Sequence, residues 1–97
     1  MRKTAVFTHD LFLQHDTGYG HPESPERLKV IYDLLLPEGI RRNLILPDIK
    51  PAIPSNIELV HQKNLVDELK KTQGLHHSMM DADTPVSGKS YQAALFA

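Results

Sequence analysis

The chain has no cysteine and no tryptophan among its 97 residues. Without cysteine there is no disulfide and no thiolate metal site, and an intracellular setting is the default expectation. Aromatic residues make up only 6% of the sequence, so any core is built mainly from leucine, isoleucine and valine. No apolar run approaches the ~20 residues that a membrane-spanning helix needs. Charge of one sign is also missing: eleven basic and twelve acidic residues are spread along the chain, for a formal net charge of −1. Nucleic-acid binding therefore has no basic footprint, and there is no acidic tail. The opening "MRKTAVFTHDLF" holds two basic residues, but Thr8, His9 and Asp10 interrupt its apolar stretch. It reads as a first strand and not as a signal peptide. What these absences leave is one small cytoplasmic domain over residues 1–97.

The elements follow from local pattern. "TAVFT", Thr4 to Thr8, is β-prone and predicts a short buried strand. His9 to Ser24 reads as loop, with Gly18 and Gly20 permitting positive φ and Pro22 and Pro25 stiffening the exit. A helix should begin at Ser24, whose hydroxyl can cap free N–H groups, with Pro25 at its first position and Glu26 at the positive end of the dipole. Leu28, Ile31 and Leu35 share one face, and Pro37 and Gly39 stop the helix.

"IRRNLILPDIKPAIP" is broken by Pro47, Pro51 and Pro54, which predicts an extended connection with a short strand at Leu44 to Leu46. Ser55 and Glu58 have capping-box spacing. They predict a helix from Asn56 to about Lys71, carrying Leu59, Val66 and Leu69 on one stripe, with a break near His61 to Asn64 as the alternative. Residues 72–90 read as a polar loop leading to a last helix at "SYQAALFA". That helix stops among apolar residues without a cap, which points to a truncated sequence or an end buried against a partner.

Six histidines, His9, His15, His21, His61, His76 and His77, raise the question of a metal. Catalytic zinc needs three protein ligands and an open position on rigid elements. Adjacent pairs such as His76 and His77 rarely chelate one ion, so loop histidines bonded to backbone or water are the stronger expectation. His21 in particular reads as a pin tying its loop to backbone carbonyls. Arg27 lies beside the apolar stripe, and its position leaves open a solvated or an inward-facing side chain. In "DADTP", Asp81 and Asp83 are expected to organise a turn through side-chain to backbone bonds. They lack the glycine and terminal glutamate of an EF-hand. No phosphate loop or dinucleotide fingerprint occurs.

Read as a whole, "FTH…HDTGYGHPESPERLKVIYDLL" closely resembles the opening of the histone deacetylase superfamily, especially its bacterial acetoin-utilisation and acetylpolyamine-amidohydrolase-like members. "ELVHQKNLVDELKKT" and "DADTPVSGKSYQAALFA" are similar to segments that follow in that family. The resemblance is weakest over residues 37–54. Its most specific run is Gly20-His21-Pro22-Glu23 with Pro25 and Arg27.

The resemblance implies an α/β class: the N-terminal fragment of an arginase/deacetylase-like α/β/α fold, mostly helical with one or two short strands. It implies acetyl-amide hydrolysis by a zinc-activated water in the family. Carried over, Tyr19, Gly20, His21 and Pro22 would stand at the active-site entrance and Asp83 at the substrate rim, while Arg27 would line an internal cavity. The family's paired catalytic histidines and its Asp-x-His and Asp zinc ligands fall beyond residue 97, and His76-His77 lacks the Gly-His-His setting. The expectation is therefore no catalytic residue, no metal ligand and no cofactor within this chain.

Such a segment supplies only part of a sheet that is normally buried on both faces. Self-association as a homo-oligomer would cover the orphaned apolar surface. The leading expectation is a non-catalytic, self-associating deacetylase-like chain. The alternatives are a subunit of a zinc-dependent deacetylase that acts with a complementing portion, and a small adaptor or ligand-binding module. No nucleic-acid or membrane partner is expected.

Overall fold

Pro25 begins the longest helix of the chain. In the computed structural model, which describes residues 3–97, α1 runs from Pro25 to Leu35 with Ser24 in extended conformation at its N-cap. Met1 and Arg2, part of the segment read as not being a signal peptide, lie outside the described residues. Proline suits this first position because its missing N–H would have had no helical partner. The Ser24 side chain makes no capping bond, so the start is set by Pro25 and not by the expected hydroxyl. Leu28, Tyr32 and Leu35 are half-buried on the inner face, whereas Ile31 is exposed and leaves the expected stripe.

Ahead of α1, β1 (Thr4–Ala5) pairs in parallel with β2 (Leu44–Ile45), with Thr4 opposite Leu44 and Ala5 opposite Ile45. The bond from Val6 N–H to the Ile45 carbonyl, 2.8 Å, extends the pairing. This strand is shorter than expected, and both its residues are exposed, not buried. A short helix α2 (Glu38–Arg41) separates α1 from β2. Within the stretch expected to be loop, Asp10–Gln14 form a 3-10 turn. His9 Nδ1 caps it by accepting from Leu11 N–H at 3.0 Å.

The single helix expected over 56–71 is two. Helix α3 (Pro54–Ile57) is one turn, and α4 runs from Lys63 to Lys71. Pro54 takes the first helical position and Ile53 becomes the N-cap, so Ser55 sits inside the helix and the capping-box reading fails. Leu59 lies in the turn between them and is 83% exposed, while Val66 is buried. The break, residues 58–62, begins ahead of the alternative at His61 to Asn64 and overlaps it only at His61 and Gln62.

The largest correction concerns residues 72–90. Instead of a loop they fold as an antiparallel hairpin, β3 (His77–Asp81) with β4 (Thr84–Ser87). A register shift lies between Met79 and Asp81. Helix α5 (Ser90–Phe96) follows, as the sequence indicated.

The core is small: Val66, Val86, Tyr91 and Ala93 are its buried apolar residues among those described. The chain forms a slab of 43 × 33 × 19 Å with a radius of gyration of 15.3 Å. A self-sufficient globular chain of this length has about 12.5 Å. No described helix is long and apolar enough to cross a membrane.

Candidate functional site

The segment from Asp16 to Glu23 is shaped by its own short-range bonds. Asp16 Oδ1 accepts from Gly18 N–H at 2.9 Å, and the buried Thr17 hydroxyl donates to the Glu23 carbonyl. Gly18 and Gly20 have φ of +91° and +79°, a region that side chains with a Cβ rarely adopt. Between these two glycines Tyr19 projects wholly into solvent.

His21 closes the loop and ties it to the hairpin. Its Nδ1 accepts from Glu23 N–H at 3.1 Å, and its Nε2 lies 3.2 Å from the Asp83 carbonyl. A proton on Nε2 satisfies both bonds at once. If both nitrogens are protonated, Nδ1 still finds the Glu23 carbonyl at 3.2 Å while Nε2 keeps Asp83. The clasp on the hairpin thus exists in either charge state. The expected loop pin is present, and it reaches further than its own loop.

At the hairpin turn, Asp81 Oδ1 accepts from Asp83 N–H at 2.9 Å. A hydrogen bond from the Thr84 side chain, followed by the Asp83 N–H, holds the Asp81 carboxyl below the usual aspartate range. Both bonds favour the charged form. Asp81 therefore builds the turn that presents the Asp83 carbonyl to His21. Tyr19, Gly20 and His21 line one rim of a concavity of about 440 Å³, and the His21 bond ties that rim to Asp83, with Pro22 exposed beside it. Arg27 stands apart on the first turn of α1: it is exposed and borders a concavity of about 210 Å³ shared with Phe12, His15 and Leu28.

Below this rim lies a polar knot that pattern reading missed. Ser90 Oγ is 2.6 Å from His15 Nδ1 and accepts from Ser87 N–H at 2.8 Å. Ser87 Oγ accepts from Asp16 N–H at 3.0 Å and contacts the Gln14 carbonyl at 3.4 Å. Both serines are buried, so these bonds offset the desolvation that would otherwise penalise them. The one signal available in the sequence was two serines three apart ahead of an apolar run. Their partners lie more than seventy residues away. A second tie is the stack of His9 on Phe96, with ring centroids 4.3 Å apart.

His9, His15 and His21 are thus engaged in holding segments together. His9, His15 and His21 each have a ring nitrogen in a protein hydrogen bond, and His76 meets His77 edge to face at 4.7 Å. Among the described residues no group of three or more His, Asp or Glu could hold a metal ion.

Comparison with known proteins agrees with the fold. The histone deacetylase domain family matches residues 21–97, and the chain belongs to that family. It is 35% identical over 89 residues to an uncharacterised protein of Synechocystis sp. and 31% identical over 71 residues to histone deacetylase 5 of Arabidopsis thaliana. The crystal structure of the HDA15 HD domain superposes with a TM-score of 0.87 at 26% identity, covering 99% of this chain. The chain spans 29% of the cyanobacterial protein, 11% of the Arabidopsis protein and 29% of the solved domain.

Proposed function

We propose that the chain, taken alone, is a non-catalytic unit of deacetylase ancestry. It builds one wall of a substrate entrance and is completed by association, in the first instance with another copy of itself. The observation that carries this reading is how His9, His15 and His21 are used: their nitrogens and rings join the N-terminal loop to the hairpin and to α5. A zinc-activated water needs three converging ligands and a base beside it. These three histidines, committed to structural contacts, do not supply that arrangement. The rim residues Tyr19, Gly20, His21, Pro22 and Asp83 would guide a substrate, and Arg27 would border the inner cavity. The cytoplasm suits a cysteine-free chain, and its near-neutral charge gives no attraction to nucleic acid.

The test uses the purified 97-residue chain: zinc content by elemental analysis, and hydrolysis of an acetyl-lysine peptide. The expected result is zinc well below one equivalent and no turnover above background. Stoichiometric zinc with turnover would overturn the proposal.

A second reading is a zinc-dependent acetyl-amide hydrolase in which this chain is the rim-bearing part and a complementing portion carries the zinc site. It is favoured by the superposition of 99% of the chain on a deacetylase domain. Turnover that arises only when a separately produced portion is added would select it.

A further inference from the structure

The three histidines that hold segments together differ in the kind of partner they meet. His15 Nδ1 faces the Ser90 hydroxyl, which can donate or accept, and His21 reaches carbonyls in either charge state. For His9 the partner is a donor only. Its Nδ1 accepts from the Leu11 amide at 3.0 Å and so caps the 3-10 turn Asp10–Gln14. An amide N–H cannot accept, so Nδ1 must offer a lone pair and the ring proton sits on Nε2. An imidazolium carries N–H on both nitrogens and has no acceptor left. The same half-buried ring stacks on Phe96 at 4.3 Å, so one side chain makes both the cap and a contact with α5.

We infer that His9 is a proton-sensitive latch: neutral, it caps the turn that leads into the glycine-flanked loop; protonated, it releases that cap. The turn runs directly into His15 and Asp16, whose bonds to Ser90 and Ser87 seat the loop. The bond from Phe12 N–H to the His9 carbonyl, 3.0 Å, is indifferent to the charge on the ring. Protonation therefore removes one bond of the turn start and leaves the other. Two helices, α1 and α5, pack on the turn. Helix α5 brings Phe96 and the buried Tyr91 but no Asp, Glu, Lys or Arg, and the Ala97 carboxylate of the 97-residue chain follows it. Helix α1 brings Glu26, Arg27, Lys29 and Asp33, all exposed, and the half-buried Tyr32. The turn's own ionisable groups are Asp10, exposed, and His15 at its far end. Between about pH 5 and 8 carboxylates ordinarily keep one charge state, whereas imidazole changes its own. His15 keeps its hydroxyl partner through that change, and His9 loses its amide.

Imidazole nitrogen NMR shifts and amide hydrogen exchange on the full chain test the latch. At about pH 8 the shifts should show His9 Nδ1 bare and Nε2 protonated, and at about pH 5 both should carry a proton. Over that interval the Leu11 amide should lose roughly fivefold in protection, after correction for the intrinsic rate, which is the usual worth of an N-cap. The Asp16 and Ser87 amides, whose acceptors are hydroxyls, are the internal reference and should keep theirs. In His9→Asn the side-chain oxygen can cap without titrating, so Leu11 should be equally protected at both pH values. The wild-type measurement needs no variant to fold. A Leu11 amide equally protected at both pH values in the wild-type chain overturns the latch, as does a His9 still neutral at about pH 5. An equal loss in His9→Asn, or in the two reference amides, assigns the change to another group and overturns it as well.

Discussion

The imidazole of His21 holds the backbone carbonyl of Asp83 at 3.2 Å across a sequence separation of 62 residues. It is the direct tie between the glycine-flanked loop and the hairpin turn. Removing it in His21→Ala should uncouple the two. Glutamine can place a donor near the Nε2 position, so His21→Gln should keep part of the coupling. The alanine change is expected to cost about 0.5–1.5 kcal/mol, the usual net worth of such a bond. Amide chemical shifts at Glu23 and Asp83 report it directly: both should move in the alanine variant and Asp83 less in the glutamine variant.

Ser90 is a more sensitive position. Its oxygen meets both His15 and the Ser87 N–H, and it is 4% exposed. Ser90→Ala leaves a buried donor without an acceptor and should destabilise by about 1–3 kcal/mol. Urea titration with an unchanged slope would confirm a loss of stability rather than a change in compactness. A loss below a few tenths of a kcal/mol would show that water replaces the hydroxyl freely.

Asp81 predicts the sign of an acid effect. Its folded pKa is lowered by Thr84 and Asp83, so the charged form is the one the turn holds. The resulting stability is present above the ordinary aspartate value of about 3.9. It is lost as pH falls through the lower, folded value. Asp81→Asn should therefore flatten the acid limb of the stability profile from about pH 3.9 downward. An acid limb of unchanged steepness in the variant would contradict the assignment.

Gly20 and Gly39 make a matched pair. Gly20 has φ +79°, whereas Gly39 lies in α2 with open space where a Cβ would go. Gly20→Ala should destabilise by about 1 kcal/mol. Gly39→Ala should be neutral or stabilise by roughly 0.4–1 kcal/mol, because it restricts the unfolded chain. Paired melting curves in one buffer give the comparison.

The parts of the fold that pattern could reach are those governed by neighbours in sequence. Pro25 set the start of α1, the apolar pair at Leu44 and Ile45 marked β2, and "SYQAALFA" marked α5. The hairpin was not legible because His77 to Ser87 shows no alternation of β-branched and polar residues and carries Pro85 within a strand. It is held by the Asp81 turn and by Ser87 bonds to Gln14 and Asp16. The capping-box start failed at Pro54, which claimed the position that the pattern gave to the chain two residues later, and the single long helix failed between Ile57 and Lys63. At the site, Gly18, Gly20 and the His21 pin could be read locally. That Asp83 is the partner of His21, and Ser90 of His15, could not, because only tertiary folding brings them together.

The long-range bonds of residues 14–21 all end on residues 83–90: Gln14 and Asp16 on Ser87, His15 on Ser90 and His21 on Asp83. Contacts of such sequence separation are slow to form, because closing the intervening chain costs entropy before any bond offsets it. During synthesis, a growing chain exposes this loop early yet cannot dock it until the hairpin and the first turn of α5 have left the ribosome. A loop made early is anchored late.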